Sequence, residues 1–389
     1  MNEAAMTDST WILVGISLTE ILLITLLLHF TPSWSRPEHL FSFTVPAAFR
    51  ESSAGRGILR RFRRRLWLGA AVAAATALAL LWQEPAGHPY LILLPTLVLI
   101  AAAAWAYLAA RAEVEPAAVP PEGALAADRE AAGAAGDESL YPTTRSGASL
   151  LVGGLAAQLT PFALLAAMGA YLAARWESIP ERFATHWNGN LQPDAWADKD
   201  PWAVASPLLM GAGMCLLVLL MAAWMSRGLW ASPPPGAEAM SNARRRAIGW
   251  LLLGANLFMA VVFAAVAASP LLRTPEAAKG FVVAILVISL VGPLVLLVAW
   301  FAAFGKHFMA SHRRSEARDD PHAAPYGDRL EDRFWKAGLV YYNPGDPALW
   351  VEKRFGIGYT LNFARPAAWW FMIGVVVLPV GIALLAALL

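Results

Sequence analysis

The sequence predicts an all-α polytopic membrane protein of about eight transmembrane helices, with a small cytoplasmic β-meander ahead of the last helix. Three observations predict it. The 389 residues are 58% hydrophobic and only 15% charged, against about 25% charged in a soluble domain. Apart from Glu20 in the first, eight separate stretches carry no charge, most of them near the ~20 residues that a helix needs to cross a ~30 Å hydrocarbon core. Between those stretches, Lys and Arg pile up in every second segment. Mean hydropathy is +0.50, as such a pattern requires.

The stretches are 11–30, 66–82, 90–110, 147–174, 205–225, 247–269, 280–304 and 367–389. The first lacks a basic leading region and its apolar run is long, so it is not read as an ordinary cleaved signal peptide. Segments 31–65, 111–146, 226–246 and 305–366 hold 8, 3, 4 and 10 basic residues. The N-terminus, 83–89, 175–204 and 270–279 hold 0, 0, 3 and 2. Positive charge is retained on the cytoplasmic side. The first set is therefore expected in the cytoplasm of a cell with this protein in its plasma membrane, and both termini outside. Trp11, Trp67, Trp82, Trp176, Trp202, Trp224, Trp300 and Trp369 fall at or near span ends, where an amphipathic indole prefers the headgroups.

The expected organisation follows the charge. Residues 1–110 form a three-helix membrane part whose basic loop carries Arg60, Arg61, Arg63, Arg64 and Arg65, read as a topology signal or as a contact with anionic headgroups. Residues 111–146, rich in Ala, Glu and Pro, read as a flexible linker that buries too little apolar area to order itself. A four-helix part (147–304) carries the external loop 175–204, and a second linker (305–327) leads to a β-rich segment (328–366) and the last helix. The lipid bilayer is the one obligatory partner. A net charge of +2 argues against nucleic acid, and the single Cys215 excludes an intrachain disulfide.

The external loop is dense in turn-forming residues and holds Pro180, Phe183, His186, Asn188, Pro193, Asp194, Trp196 and Lys199. In order and spacing these resemble the loop of a bacterial membrane family of unknown biochemical activity that includes the SdpI-type immunity proteins. That family usually has Gly where Leu191 stands, so Gly189 or Asn190 is expected to supply the left-handed residue of the turn. The resemblance implies recognition of an external peptide or envelope signal. From chemistry alone, His186, Asn188 and Asp194 either bond the loop's own backbone or meet a ligand. Two potential ligands eight residues apart do not make a metal site, and no metal or other cofactor is expected.

Before the last helix, 339–343, 349–354 and 356–363 read as short strands, with Pro344 to Pro347 as a turn between the first two. Trp335, Tyr341 and Trp350 are the expected core. Trp335, Gly338, Tyr341, Tyr342, Asn343, Pro344, Asp346, Pro347, Val351, Lys353, Gly356, Gly358, Thr360 and Asn362 resemble a second uncharacterised bacterial domain. The resemblance implies no activity, and a docking or structural role is expected, with a cytoplasmic protein as candidate partner.

Within the spans, Glu20 stands out, since a charge at mid-helix costs about 2.5–3.5 kcal/mol. Gln158 and Asn256, also near mid-depth, are its candidate partners. Two functional readings result: a sensor or immunity-type protein working through the external loop, and a transporter or lipid-handling protein with a site around Glu20. No Gly-x-Ser-x-Gly or His-Glu-x-x-His constellation supports an enzyme.

Overall fold

The computed structural model describes residues 8–35, 39–83, 90–118, 143–145, 150–188, 191–233, 238–272, 274–315 and 332–388. Each apolar stretch falls on a long helix. In chain order these are α1 (Asp8–Trp34), the single turn α2 (Ala47–Glu51), α3 (Ser53–Gln83), α4 (Tyr90–Val114), α5 (Gly154–Ala174), α6 (Pro201–Arg227), α7 (Glu238–Ala267), α8 (Pro275–Ser315) and α9 (Pro366–Leu388). The fourth stretch becomes helical only at Gly154, later than 147. Most of the first linker (119–142 and 146) lies outside the described residues, as do 316–327 of the second.

Among the described residues, six helices are long and apolar enough to cross a membrane: α1 and α4 through α8. The chain is thus built as a multi-pass membrane protein. In hydrocarbon a helix satisfies its backbone groups internally, and α5 and α8 continue through Pro161 and Pro293. In α3 the basic cluster occupies the first half, and α9 has its described apolar run at Pro366–Val375. The start of α6 shows the local logic: Asp200 accepts from the N–H groups of Trp202 (2.7 Å) and Ala203 (3.0 Å), and Pro201 opens the helix. An acidic cap and a Pro at the first position satisfy or remove donors that otherwise lack partners.

Helices α1, α3 and α4 pack together, and α5 and α8 flank α7, which also lies against α6. The segments after α1, before α5, after α6 and between α8 and α9 meet at one end of the bundle. There β1 (His39–Leu40) and β2 (Phe43–Thr44) form a tight hairpin. Strand β3 (Thr143–Arg145) precedes α5. Between α5 and α6, at the other end, stand β4 (Arg182–Trp187) and β5 (Pro193–Asp198). Strand β6 (Leu229–Ala231) follows α6, and β7 (Trp335–Lys336), β8 (Val340–Tyr341), β9 (Trp350–Glu352) and β10 (Tyr359–Leu361) fill the segment before α9.

The β-rich segment is not the expected meander. Strand β8 pairs back on β7, and β9 pairs with β10 and, in parallel, with β6, giving a four-stranded sheet in the order β10-β9-β6-β3. The reason lies in the Pro344–Pro347 turn. Its two prolines lack a donor, and the Asn343 and Asp346 side chains take its free N–H groups, Gly345 (2.9 Å) and Ala348 (2.9 Å). The chain is led away from β8 instead of folding back along it. The expected core residues Trp335, Tyr341 and Trp350 are all buried, but in two clusters. Trp335 and Tyr341 pack with Ala348 and Val351, whereas Trp350 stacks on Trp230 of β6 with ring centroids 5.4 Å apart.

The N-terminal three helices grip this unit. The turn between β1 and β2 is buried, with Phe41 at 1% and Ser42 at 0% exposure, although both have positive φ (45° and 68°). Left-handed backbone costs a non-glycine residue about 1–2 kcal/mol, so contacts must hold it. Phe41 packs on Phe62 of α3 and Phe355 after β9 at 4.9 and 5.7 Å. Arg111 of α4 donates to the Phe41 carbonyl at 3.1 Å, and Arg354 to that of Ser42 at 3.2 Å.

Candidate functional site

Three groups of residues carry the chemistry that the sequence singles out, and the structure keeps them apart. The first is the β4–β5 hairpin. Ile179 and Phe183 anchor its base in a cluster with Leu172, Val204 and Ala267. Lys199 closes the base: its backbone donates to the Glu181 carbonyl at 2.8 Å, its ammonium reaches the Glu181 carboxylate at 3.2 Å, and it lies 5.5 Å from the Trp176 ring centroid. At the tip, the Asn188 carboxamide accepts from the N–H of Gln192 at 3.1 Å, while Leu191 donates to the Asn188 carbonyl at 2.9 Å. Asn188 and Lys199 are thus builders of the loop, and Pro193 opens β5.

The expected left-handed residue at Gly189 or Asn190 falls outside the described residues. Leu191 itself takes that conformation, with φ 57°, and its side chain is 7% exposed. Burial of the side chain holds a backbone state that glycine adopts freely.

On this frame His186 and Asp194 are paired, Nδ1 to Oδ1 at 2.5 Å, yet their side chains are 68% and 41% exposed. The ladder shifts register on both sides of His186, and such irregularities re-aim a side chain. Trp196 is 49% exposed, with the Arg182 guanidinium 6.0 Å from its centroid. Pro180 leads into the hairpin beside buried Ile179. The result is an exposed surface with an imidazole–carboxylate pair, the Trp196 indole two residues after Asp194, and the Arg182 guanidinium near that indole.

The second group is intramembrane. Glu20 accepts from Thr96 of α4 at 3.2 Å. Gln158 donates to the Val152 carbonyl at 2.7 Å, and Asn256 to that of Cys215 at 3.3 Å, with the Cys215 thiol donating back to the Asn256 carbonyl at 3.7 Å. The expected pairing of Glu20 with Gln158 or Asn256 is corrected. Similar depth places residues at one level but not on facing helices, and α1 packs on α3 and α4. Trp300, expected at headgroup level, is 9% exposed and donates to the Ala247 carbonyl at 2.6 Å.

The third group is the motif ahead of α9. Tyr341, Asn343, Asp346 and Asn362 are all at most 2% exposed and bond one another. Tyr341 donates to the Asp346 carboxylate at 3.0 Å, and Asn343 to the Tyr341 oxygen at 3.0 Å. Asn362 donates to the carbonyls of Asn343 (2.9 Å) and Asp346 (3.0 Å). Gly356 and Gly358, both at positive φ, turn the chain between β9 and β10, and the Lys353 N–H closes that turn on the Gly358 carbonyl at 3.0 Å. The side chains of Tyr341, Asn343, Asp346 and Asn362 are thus spent on the fold, while Tyr342 stands 44% exposed.

Sequence reasoning missed Ser42, Tyr107, Arg111 and Arg354, which join the membrane helices to the β-rich unit. Arg354 is 3% exposed, pairs with Asp332 and lies 5.1 Å from the Trp335 centroid. The positively charged Lys353–Arg354 pair was the available signal, but an Arg in a strand end reads as solvated. Among the described residues no group of three His, Cys, Asp or Glu side chains is placed to hold a metal ion.

Comparison with known families agrees with the two motifs. Residues 163–211, which contain the β4–β5 hairpin, match a domain of unknown function (DUF1648). Residues 344–369 match a family of unknown function (DUF5808). No curated protein and no solved structure matches the chain. The chain is a multi-pass membrane protein that joins two uncharacterised segments, one at each end of its helix bundle.

Proposed function

We propose that this is a sensor or immunity-type protein of the bacterial plasma membrane, related in role to the SdpI-type proteins it resembles. In this reading all eight helices cross the bilayer and both termini lie outside the cytoplasm. The β4–β5 hairpin meets an external peptide or envelope signal, and the β-rich end relays it to a cytoplasmic partner. Two features support the orientation: 25 of the 30 basic residues lie in the segments at the β-rich end, and positive charge marks the cytoplasmic side.

The observation that carries the reading is the His186–Asp194 pair, rigidly mounted and solvent-exposed. A frame this ordered, with its hydrogen-bonding groups turned outward beside Trp196, suits recognition of a peptide bearing both polar and apolar side chains. The alternative, transport through a site around Glu20, gains nothing from three polar residues in three separate contacts.

The test is protection of a susceptible bacterium against membrane-active peptides by the full-length protein. His186→Ala and Asp194→Ala are expected to abolish protection while membrane insertion stays normal. Full protection by both variants overturns the proposal.

A further inference from the structure

The β7–β8 hairpin lies deeper than a cytoplasmic appendage has reason to. Helix α4 is uncharged from Tyr90 to Ala110, and Arg111 is its first charge. A first charge is where a span is expected to leave the hydrocarbon. Tyr107, one turn nearer the membrane centre, donates to the Ala337 carbonyl at 3.1 Å. At Gly338, φ is +73° and a methyl group would come within 2.4 Å of the Arg111 guanidinium and 2.8 Å of the Tyr107 hydroxyl. The hairpin turn is therefore held level with the last membrane-embedded turn of α4.

The hairpin's two faces differ. Trp335 and Tyr341 pair across it and point into the protein, at 3% and 0% exposure. Lys336 and Val340 pair on the outer face. Val340 is 41% exposed, and Leu339 at the turn is 47% exposed. Exposed Arg333 stands just ahead of the hairpin and exposed Tyr342 just after it. Aliphatic and Tyr side chains flanked by Arg and Lys, at the depth of a helix end, are the composition that partitions into a headgroup layer.

We propose that the Lys336–Val340 face, with Leu339 at its tip, is inserted in the headgroup layer and contacts anionic phospholipid. The surface does not depend on the recognition role of the β4–β5 hairpin. The occupant is the bilayer and not a protein, because the turn that carries Leu339 is fixed to Tyr107 and Arg111 at the end of a membrane span and the flanking charges complement anionic lipid.

Leu339→Cys and Val340→Cys, each in full-length protein with buried Cys215 replaced by Ala, are labelled with an environment-sensitive fluorophore. They are reconstituted in phosphatidylcholine with and without phosphatidylglycerol. The expected result is blue-shifted emission, quenched severalfold more by a headgroup-proximal nitroxide lipid than by aqueous iodide. Reversing the flanking charges (Arg333→Glu with Lys336→Glu) is expected to weaken nitroxide quenching in the anionic bilayer and much less in the neutral one. Dominant iodide quenching at both positions places the patch in water and overturns the proposal. Lipid quenching indifferent to composition and charge reversal overturns its anionic-lipid part.

Discussion

The Tyr107 hydroxyl near the end of α4 donates to the carbonyl of Ala337, 230 residues later in the chain, at 3.1 Å. The same oxygen lies 3.0 Å from the Ser42 hydroxyl of the β1–β2 turn. One side chain thus ties three segments that the sequence scatters widely. Gly356 adds a second tie, its N–H donating to the Ser35 hydroxyl at the end of α1 at 2.8 Å. The β-rich unit is wedged among the helix ends, not suspended from them. A displacement of either the three-helix part or the unit before α9 must break these bonds, so the two parts are physically coupled.

Arg354 is the buried centre of that coupling. It has lost its solvent, and Asp332, the Ser42 carbonyl and the Trp335 ring replace it. Arg354→Ala removes the charge and leaves Asp332 and the carbonyl to find water. Breaking a buried pair costs about 3–5 kcal/mol, and because Asp332 is 27% exposed the lower end is expected. Denaturant titration in detergent checks the size. A double cycle with Ser35→Ala is expected to show non-additive losses, since both ties close one joint.

How much of this was legible follows from where each signal sits in the chain. Helices were legible because hydrophobicity sustained over 20-odd residues leaves few alternatives. The Tyr341–Asn362 network was legible as a motif, although its chemistry turned out to hold a turn together. The sheet partners β3 and β6 were not legible: three-residue strands are too short to show period-two alternation, and their pairing is decided by tertiary contacts such as the Trp230–Trp350 stack. The Phe41–Ser42 turn was invisible for a different reason. A two-residue hairpin announces itself through Asn-Gly or Asp-Gly, and here burial and the Arg111 and Arg354 hydrogen bonds, all tertiary, enforce the conformation. At the candidate site His186 and Asp194 were legible as candidate residues, but not their bond to each other, which forms where the ladder shifts register at His186.

Leu191 offers a measurable contest between two effects. Its positive φ favours Gly by about 1–2 kcal/mol. Its side chain is buried, and truncating a buried Leu costs about 2–5 kcal/mol. Packing is the larger effect, so Leu191→Gly is expected to destabilise the hairpin by about 1–3 kcal/mol despite relieving the backbone. Hydrogen exchange at the Asn188 and Gln192 amides reads the change locally. Greater protection in the variant would show that strain outweighs burial here.

The last prediction concerns pH and the joint between β10 and α7. Tyr359 meets Trp230 edge-on, with ring centroids 4.7 Å apart. Burial pushes its phenol above the ordinary value, and the Glu352 carboxylate adds to the rise while Arg244 and Arg245 oppose it. The folded chain therefore holds this proton more tightly than the unfolded chain. The contribution to stability is fully present below the unfolded value of about 10 and is lost as pH rises through the higher folded value. Wild-type protein in detergent is expected to lose stability above pH about 10 more steeply than Tyr359→Phe, which has no proton to lose there. Subtracting the two profiles cancels the other tyrosines and lysines. Parallel profiles would mean that Tyr359 ionises in the fold as readily as in water, and that the Trp230 contact opens before it does.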